Sequence, residues 1–550
     1  MKHFTTYLFL LISLLGSHFV QAQSDLTKAY DQLIANAFSI EGPGATALVA
    51  KDGQIVYQKA VGHANVELDV PMKIDNVFRI GSITKQFTAV GILMLMEQGK
   101  LGLQDEITKF IEDYPTQDQT ITVEHLLTHT SGIKSMTNMP EFFGEVRKDF
   151  STTEMIDVFK NESMEFVSGE AYNYNNSGYF LLGVIIEKVT GKPYATFIEE
   201  EIFEPLGMKN SYYDSFAKII KNRAAGYQPS TEGIKNADYI SETIPYAAGS
   251  LLSNVEDLLK WNQAVVNHKL ISKESLDRAW TPYTLKNGES TGYGYGWSIT
   301  KLQNTRAIEH GGGIFGYLTQ GIYLPTEKVY VAVLSNCNCQ SPSDVTKQLA
   351  ALTIGRPLSW EAIALEEASL EEYEGVYQIS EDEMRTIVMK EGMLVSKRGS
   401  SSPYNLIPIG KDEFNFEGTL TRLKFVRDAA GVITKAVAIP ATGEKSEAIK
   451  TDEKAVLEEK PKLQLSDDIL NRYVGIYELA PTFKIEITNE NNQLHAQATG
   501  QGKLALQATS ETAFYPEEVE AEVEFVLEEG KVTHLMLLQN GREMKAKKIE

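Results

Sequence analysis

The C-terminal part of this sequence carries one residue pattern twice, and the two copies lie one hundred residues apart. Residues 370–377 read LEEYEGVY, and residues 470–477 read LNRYVGIY. The stretch 423–426 matches 523–526 at the same offset, and a fixed offset of this kind indicates an internal duplication. Each copy consists of short alternating runs separated by glycine turns, which is typical of a small antiparallel barrel.

The duplication predicts two small antiparallel β-barrel domains, at residues 369–455 and 469–550. A linker is predicted at 457–462, and a helical, acidic connector at 360–369. Neither copy holds an obvious nucleophile and base, so we interpret both as accessory domains. Barrels of eight strands can hold a small ligand such as a lipid or glycan, but units of about 85 residues usually fill their interiors with side chains.

The first 355 residues predict a different architecture, with strands at both ends and helices between them. Two alternating runs, 45–51 and 54–61, flank Asp52-Gly53, which is a strong hairpin signal. The long middle, about 82–280, has mostly helical periodicity. Strand patterns return at 294–299, 306–309, 318–324 and 329–334. We therefore predict an α+β fold: an antiparallel sheet built from both ends of this segment and flanked by helices, followed by the two barrels.

Net charge excludes two classes of partner. The chain has 550 residues and a formal net charge of −22. Nucleic acid or an anionic membrane surface would require a basic face, so we expect neither as a partner.

The first 22 residues are predicted to be a cleaved secretion signal. Lys2 supplies a positive start, residues 7–15 an apolar run, and residues 20–22 (VQA) a small-residue cleavage site. We expect the mature chain to begin near Gln23 and to work in the periplasm or outside the cell. No cysteine stands at the junction, so lipid attachment is not expected, and no later run reaches the ~20 apolar residues of a membrane span.

The two cysteines of the chain, Cys337 and Cys339, are separated by one residue. On a strand they would share a face, yet a bridge this short would be strained. Two thiols are also too few for a structural zinc site. We therefore expect a plain pair of thiols at a strand end rather than a redox switch.

A serine one helical turn ahead of a lysine is the strongest chemical signal in the sequence. Residues 79–87 read RIGSITKQF, so Ser82 and Lys85 lie side by side if this segment is helical. A hydroxyl becomes a good nucleophile when a neighbouring base takes its proton, and a lysine can do so when burial lowers its pKa. The apolar run 86–96 supplies that burial. Alone the motif is weak, because Ser82 is also an ordinary helix cap.

Two further clusters contain residue types that fit acyl transfer. The loop 172–179 reads YNYNNSGY. It offers the phenol of Tyr174, which can shuttle protons if cationic neighbours depress its pKa, and the carboxamide of Asn176, which can bind a substrate amide. A strand end at 309–313 reads EHGGG, and glycine N–H groups there can hold an oxyanion. Taken singly, both clusters are also compatible with an ordinary turn or loop.

In this order and at these intervals, the clusters resemble the motifs of the serine β-lactamase and penicillin-recognising family. That family includes class C β-lactamases, D-alanyl-D-alanine carboxypeptidases, D-aminopeptidases and related esterases, and its motifs are S-x-x-K, Y-x-N and K-T-G or H-x-G. They correspond here to Ser82 and Lys85, to Tyr174 and Asn176, and to His310 and Gly312. The resemblance spans roughly residues 25–350 and includes the segments 125–132 (HLLTHTSG), 204–208 (EPLGM) and 293–297 (YGYGW).

The resemblance implies a mechanism and a layout. Ser82 would attack a carbonyl while Lys85 and Tyr174 share the proton transfers, and which of the two is the acylating base stays open. The oxyanion would lie between the N–H groups of Ser82 and Gly313, and water would release the acyl group. No cofactor or metal is implied. D-aminopeptidases of the family carry two C-terminal barrels, so we expect a D-aminopeptidase-like serine hydrolase whose catalytic domain is residues 23–355.

His310 stands where many β-lactamases and carboxypeptidases of the family use a lysine to hold a substrate carboxylate. A neutral imidazole near pH 7 binds an anion less firmly than a permanently charged amine does. β-Lactamase and carboxypeptidase activity are therefore the less favoured alternatives, whereas H-x-G is the form found in D-aminopeptidases and several esterases. We expect a small-molecule or peptide substrate with an amide or ester bond, such as one that contains a D-amino acid.

Two rival sites compete with this interpretation. Residues 288–292 read GESTG and match a G-x-S-x-G nucleophile elbow, but Ser290 follows a polar stretch, and the glycine run follows the serine rather than preceding it. His125 and His129 are four apart on a predicted helix, but no HExxH glutamate lies between them and no third ligand is evident. We interpret both histidines as structural and predict no metal site.

A non-enzyme alternative stays open, namely a secreted sensor or cell-wall-binding protein that traps acyl ligands without turnover. The complete set of Ser82, Lys85, Tyr174 and Asn176 argues against it. The sequence leaves the oligomeric state open.

Overall fold

The computed structural model describes residues 25–549 except for short gaps, which are 140–141, 231–232, 359, 381–382, 400, 402, 443–444, 457–461, 481–482, 500–501, 517–518, 520, 529 and 540–541. The predicted secretion signal, and the predicted linker apart from Lys462, lie outside the described residues. The chain divides into two compact units, one made mostly of residues before 359 and one made mostly of residues after it.

The strands before residue 359 are β1 (Ala45–Lys51), β2 (Gln54–Val61), β3 (His63–Asn65), β4 (Val70–Pro71), β5 (Phe78–Arg79), β6 (Tyr212–Tyr213), β7 (Tyr227–Ser230), β8 (Gly233–Asn236), β9 (Leu251–Ser253), β10 (Ser298–Leu302), β11 (Thr305–Ile314), β12 (Tyr317–Leu324) and β13 (Val329–Ser335).

The helices of the same segment are α1 (25–37), α2 (Thr84–Glu97), α3 (Val123–Leu127), α4 (Phe142–Glu145), α5 (Thr152–Phe159), α6 (Asn176–Thr190), α7 (Tyr194–Ile198), α8 (Glu204–Leu206), α9 (Tyr246–Gly249), α10 (Val255–Val266), α11 (Lys273–Ala279) and α12 (Ser343–Thr353). Short 3-10 turns lie at Gly81–Ile83, Ile107–Lys109 and Met136–Asn138, and a π-helical turn spans Glu199–Phe203. None of the helices in the described part of the chain is long and apolar enough to cross a bilayer.

The first unit is built on a six-stranded antiparallel sheet in the order β10-β11-β12-β13-β1-β2. Strand β1 pairs with β2 on one side and with β13 on the other, so both ends of the segment meet inside the sheet. The β1–β2 turn has left-handed backbone at Asp52 (φ 51°) and Gly53 (φ 76°), as the Asp-Gly pair predicts. β1 and β13 are buried along nearly their whole length, since α10 and α12 pack on the sheet. The predicted α+β architecture is confirmed.

Three local predictions differ from the structure. β10 begins at Ser298, later than predicted, because Gly296 turns the chain with a φ of 86°. The strand predicted at 306–309 extends through the glycine run to Ile314, since 311–313 pair with β12. The connector is helical only from Glu367, because a short helix gains stability mainly from packing.

Helix α2 is buried on nearly every side. Every residue from Thr84 to Leu93 is buried, and the helix packs against α6 and α9. A helix that is apolar all round belongs in the interior of a domain. This burial also takes Lys85, in the first turn of α2, out of contact with solvent.

The second unit contains two closed eight-stranded antiparallel barrels. The first consists of β14 (Gly375–Ser380), β15 (Glu383–Lys390), β16 (Met393–Arg398), β17 (Tyr404–Gly410), β18 (Glu413–Phe416), β19 (Arg422–Arg427), β20 (Ile433–Ile439) and β21 (Ser446–Lys450). The second consists of β22 (Gly475–Ala480), β23 (Phe483–Glu490), β24 (Gln493–Ala498), β25 (Lys503–Ala508), β26 (Ala513–Pro516), β27 (Ala521–Glu528), β28 (Lys531–Gln539) and β29 (Arg542–Lys548). Short helices precede them, α13 (Glu367–Leu370) with a 3-10 turn at Glu371–Tyr373, and α14 (Asp467–Leu470).

The two barrels share their internal construction. In each, a tyrosine hydroxyl donates to the carbonyl four residues earlier, from Tyr377 to Tyr373 at 2.8 Å and from Tyr477 to Tyr473 at 2.7 Å. Aromatic and aliphatic side chains at matching positions fill both interiors. The predicted pair of barrels is confirmed.

Cys337 and Cys339 are joined by a disulfide bond just after β13, so the prediction of a plain pair of thiols is wrong. The chain turns after Cys337 instead of continuing as a strand. The two Cα atoms therefore lie 5.1 Å apart, within the usual range for a bridge.

Candidate active site

Ser82 lies in the 3-10 turn in front of α2, and β11 packs directly against this turn. Gly81 has left-handed backbone (φ 50°), and a β-carbon on it would lie 2.9 Å from the nitrogen of Gly313. A β-carbon on Gly312 would lie 2.0 Å from the carbonyl oxygen of Ile80. Both positions require glycine, because a side chain would force the strand away from the turn. The glycine run thus brings the backbone of β11 next to the serine.

The Lys85 side chain is fully buried, and its amine has three polar neighbours. Nζ lies 3.2 Å from Ser82 Oγ, and it donates to Asn176 Oδ1 and to the carbonyl of Ala248, each at 2.8 Å. No carboxylate in the described part of the chain forms an ion pair with it. Three neutral partners therefore surround a group that is ordinarily a cation.

Burial holds the pKa of Lys85 well below its ordinary value of 10.5. A neutral amine has two N–H bonds and one lone pair. The two carbonyl oxygens can accept both N–H bonds, which leaves the lone pair for the hydroxyl of Ser82. The arrangement can therefore take the proton from the Ser82 hydroxyl.

The hydroxyl of Tyr174 is buried near the Ser82 side chain, and it makes no well-formed hydrogen bond within the described part of the chain. The centroid of its ring lies 4.8 Å from Lys85 Nζ. Burial nevertheless raises the pKa of Tyr174, and the interaction with the Ser82 side chain lowers it by a smaller amount. The depressed pKa named above as the condition for proton shuttling is therefore not met, because desolvation outweighs the effect of the neighbouring groups. The phenol stays protonated and can donate a hydrogen bond.

Asn176 is the first residue of α6, and its side chain is used mainly by the protein itself. Its Oδ1 accepts from Lys85, and its Nδ2 donates to Thr137 Oγ1 at 2.9 Å. The preceding Asn175 caps the helix, since its Oδ1 accepts from the N–H of Gly178 at 2.9 Å. Asn176 thus fixes the lysine and keeps one N–H bond for a ligand.

His310 is buried in β11, and both of its ring nitrogens are engaged. Nδ1 lies 2.6 Å from the carbonyl of Gly311, and Nε2 lies 2.9 Å from the hydroxyl of Tyr293. Burial, and secondarily the charge of Lys85, lowers the pKa of His310 to about 4. The neutral ring therefore donates through Nδ1 and accepts from Tyr293 through Nε2 at pH 7.

His129 packs beside the cluster, in the structural role that the sequence analysis gave it. Helix α3 ends at Leu127, so His129 is not on it, contrary to the prediction. Its Nδ1 accepts from the N–H of Asn175 at 3.0 Å, and its ring centroid lies 4.3 Å from that of Tyr174. His129 therefore holds the loop that carries Tyr174, through the hydrogen bond to Asn175 and the contact with the Tyr174 ring. The resemblance of the HLLTHTSG segment to the family was the sequence signal for this residue. Its contacts could not be predicted, because Tyr174 and Asn175 are distant from His129 in sequence.

The structure brings the predicted site residues into one cluster and leaves the rival serine outside it. The contacts above join Ser82, Lys85, Tyr174, Asn176, His310, Gly312 and Gly313. Ser290 is exposed in an isolated β-bridge with Thr284, and its Oγ accepts from the N–H of Gly292 at 3.3 Å. Among the described residues, no group of three or more His, Cys, Asp or Glu side chains could hold a metal ion.

Comparison with known families assigns most of the chain. The family model described as Beta-lactamase matches residues 28–354. A second model, described as a domain of unknown function (DUF3471), matches residues 459–548. Penicillin-binding protein 4* of Bacillus subtilis (strain 168) is 28% identical over 520 residues, which cover 91% of this chain and 94% of that protein.

Solved structures with the same fold include penicillin-binding proteins and amide hydrolases. The octameric penicillin-binding protein homologue from Pyrococcus abyssi has a TM-score of 0.53 and 29% identity, over 80% of this chain and 100% of that chain. The D-stereospecific amidohydrolase from Streptomyces sp. has a TM-score of 0.51 and 25% identity, over 59% of this chain and 98% of that chain.

Proposed function

Because the chain belongs to the beta-lactamase family, we propose that it is a serine hydrolase that acts on amide or ester bonds through an acyl-enzyme, most closely in the manner of a D-aminopeptidase. The observation that carries the proposal is the position of Lys85 Nζ, 3.2 Å from Ser82 Oγ and held by two carbonyl oxygens. A buried amine of this kind activates an alcohol only if it is neutral, and burial favours the neutral form.

In the proposed acylation, Ser82 Oγ attacks the substrate carbonyl and its proton moves to Lys85 Nζ. The opposite pKa directions of the two candidate bases support this assignment. Burial lowers the pKa of Lys85, which frees a lone pair, and raises the pKa of Tyr174, which keeps its proton. Tyr174 then serves as the donor that relays a proton to the leaving amine or alkoxide, and it regains one from Lys85.

The negative oxygen of the tetrahedral intermediate is proposed to lie between the N–H groups of Ser82 and Gly313. Support comes from the close contact between β11 and the 3-10 turn, where a β-carbon on Gly81 would lie 2.9 Å from the nitrogen of Gly313. Loss of one such donor costs about 2.7–4 kcal/mol of transition-state stabilisation. Water then attacks the acyl-enzyme and releases the acid, with Lys85 and Tyr174 again moving the protons.

The state of His310 supports a substrate with no carboxylate next to the scissile bond. Its neutral ring has both nitrogens engaged, so it supplies no positive charge and no free donor. Amides and esters that carry no free carboxylate fit this site better than substrates that end in one. Similarity to a D-stereospecific amidohydrolase supports a substrate that contains a D-amino acid.

A substrate panel tests the proposal on purified wild type and on the Ser82→Ala variant. The panel contains D-amino-acid amides, their L-enantiomers, short-chain p-nitrophenyl esters and nitrocefin. We expect the wild type to hydrolyse D-amino-acid amides faster than their L-enantiomers and faster than nitrocefin. The Ser82→Ala variant should hydrolyse none of these substrates. Turnover of esters alone would favour the esterase alternative. Stoichiometric labelling by a penicillin probe without turnover of any substrate would favour the acyl-trapping sensor.

We also propose that the chain is exported, with mature sequence beginning near Gln23, catalytic domain 23–355 and accessory barrels at 369–455 and 469–550. The apolar run at 7–15 and the VQA site support this proposal. N-terminal sequencing of protein from the periplasm or medium should start near Gln23. Full-length protein that starts at Met1 and stays with the cytoplasmic fraction would contradict it.

A further inference from the structure

The first barrel holds a charged side chain inside its wall. Arg385, on β15, is only 6% exposed, and it pairs across the ladder with Arg398 on β16. Residues directly opposite each other on antiparallel strands point to the same face, so both arginines point into the barrel. Arg398 is half exposed, whereas Arg385 is buried. Arg385 therefore lies just inside one open end of the barrel.

Within the described residues, no carboxylate is paired with the guanidinium of Arg385. Its Nη1 donates to Ser396 Oγ at 3.0 Å, and its Cζ lies 5.1 Å from the centroid of the Phe416 ring. The nearby carboxylate of Glu383 is bound by Arg398, with two hydrogen bonds of 2.8 Å. No carboxylate in the described part of the chain forms an ion pair with Arg385.

The environment disfavours this charge without removing it. Burial, and secondarily the charge of Arg398, lowers the pKa of Arg385 to about 10. The side chain is therefore still protonated at pH 7 and still has four N–H bonds beyond the one to Ser396. A buried and unpaired charge is costly, so this barrel retains a feature that its own stability does not favour.

The second barrel is an internal control for this end of the first. Its ladder register is the same, since Ile485 pairs with Ala498 where Arg385 pairs with Arg398. The polar positions at this end are all apolar in the second copy: Glu383, Arg385, Ser396, Arg398 and Tyr404 correspond to Phe483, Ile485, Ala496, Ala498 and Leu504. The rest of the core keeps its character. A barrel of this kind therefore closes well without the arginine.

We propose that this end of the first barrel, formed by Arg385, Ser396, Tyr404 and Phe416, binds a small carboxylate attached to an apolar group. A planar guanidinium fork matches a carboxylate, and the Ser396 hydroxyl adds a second polar contact. The Tyr404 and Phe416 rings, whose centroids are 6.1 Å apart, supply an apolar wall. A phosphate dianion would require a second free cation, and Arg398 is already neutralised by Glu383.

Calorimetric titration of the full-length protein with sodium benzoate, at constant ionic strength, tests the proposal. We expect saturable binding to wild type, and an affinity weaker by about tenfold or more in Arg385→Ile, which installs the residue of the second barrel. Arg385→Lys keeps the charge without the fork and should fall between the two. Arg427→Leu, at an arginine of the same barrel that is paired with Asp412 and Glu372, is the matched control and should bind as wild type does.

Three results would overturn the proposal. The first is no saturable binding of benzoate by wild type. The second is equal affinity for benzoate in wild type and Arg385→Ile, because benzoate would then bind elsewhere. If Arg385→Ile does not fold, equal affinity in wild type and Arg385→Lys has the same meaning. The third is inorganic phosphate binding as tightly as benzoate with the same dependence on Arg385, which would make the site one for anions in general. Catalytic turnover is not a readout, so failure here leaves the proposed hydrolase unaffected.

Discussion

Two regions of the molecule bury a side chain that is ordinarily a cation, and burial has opposite outcomes in them: one side chain can become neutral and the other stays charged. Lys85 in the first unit is 0% exposed, and Arg385 in the first barrel is 6% exposed. Neither has a carboxylate partner among the described residues. Lys85 can lose its proton, and three neutral groups fit the resulting amine. Arg385 stays protonated at neutral pH, and among the described side chains only Ser396 accepts a hydrogen bond from it.

The difference shows how residue type decides what burial produces. Desolvation of a lysine lowers the pKa and yields a base close to a nucleophile. Desolvation of an arginine leaves a cation, and such a cation is stabilised best by an anion from outside the chain. The same physical cause therefore supports a catalytic proposal in one region and a binding proposal in the other.

The largest loss of activity is expected when Lys85 is replaced by arginine, which is the residue type buried in the first barrel. Lys85→Arg places a permanent cation beside Ser82, so the proton acceptor is lost and kcat/KM should fall by about 10³-fold. The measurement is hydrolysis of the best substrate of the panel. The exposed Lys109→Arg serves as the matched control. More than a tenth of wild-type activity in Lys85→Arg would show that the lysine is not the base.

A smaller loss of catalytic activity is expected from Tyr174→Phe. Without the phenol the proton relay is lost, and kcat should fall by about 10²-fold. The hydroxyl makes no well-formed hydrogen bond to any described residue, so its removal should leave the melting temperature unchanged or raise it. Tyr172→Phe, on the same loop, is the control for kcat. A large drop in melting temperature with unchanged kcat would assign Tyr174 a structural role instead.

The pH profile should report the lowered pKa of Lys85 directly. The base works only when neutral, so kcat/KM should rise about tenfold per pH unit up to this pKa and then level off. Because burial lowers that pKa, the plateau should begin well below pH 10.5. A profile that still rises through pH 10 would contradict the neutral amine. Protonation of His310 should add a second loss only near pH 4.

The smallest effect on stability concerns the first tyrosines of the two barrels, which differ in their hydrogen bonds. The Tyr373 hydroxyl donates to Asp412 Oδ1 at 2.9 Å and accepts from Arg427 Nη2 at 3.5 Å, whereas the hydroxyl of Tyr473 is buried without a partner among the described residues. Tyr373→Phe should lower the free energy of unfolding by about 1 kcal/mol, and Tyr473→Phe should leave it unchanged or raise it. Denaturant unfolding of both variants checks the pair. Equal losses would show that the polar network of the first barrel contributes no stability.

Much of the fold could be predicted because its signals are local. The Asp52-Gly53 hairpin appears where its turn chemistry predicts it, with strands Ala45–Lys51 and Gln54–Val61. The duplication needed only a fixed offset, and it led to both barrels. The predicted strand 306–309 stopped short of the glycine run, because the pairing of that run with β12 depends on a partner strand rather than on its own propensity.

The site could be predicted by residue type but not by environment. The motifs identified Ser82, Lys85 and Tyr174, whose side chains lie together in the structure. The direction of the Tyr174 pKa was missed, because burial is set by segments far away in the sequence. Ala248 was missed because it contributes a backbone carbonyl, which carries no side-chain signal.

The most direct test of the central claim is to find which residue becomes covalently modified. Wild type and Ser82→Ala are treated with a fluorophosphonate probe, digested, and mapped by mass spectrometry. We predict one adduct per chain, on the peptide that contains Ser82, and no adduct in the variant. An adduct on the peptide that contains Ser290, or equal labelling of both proteins, would contradict the account.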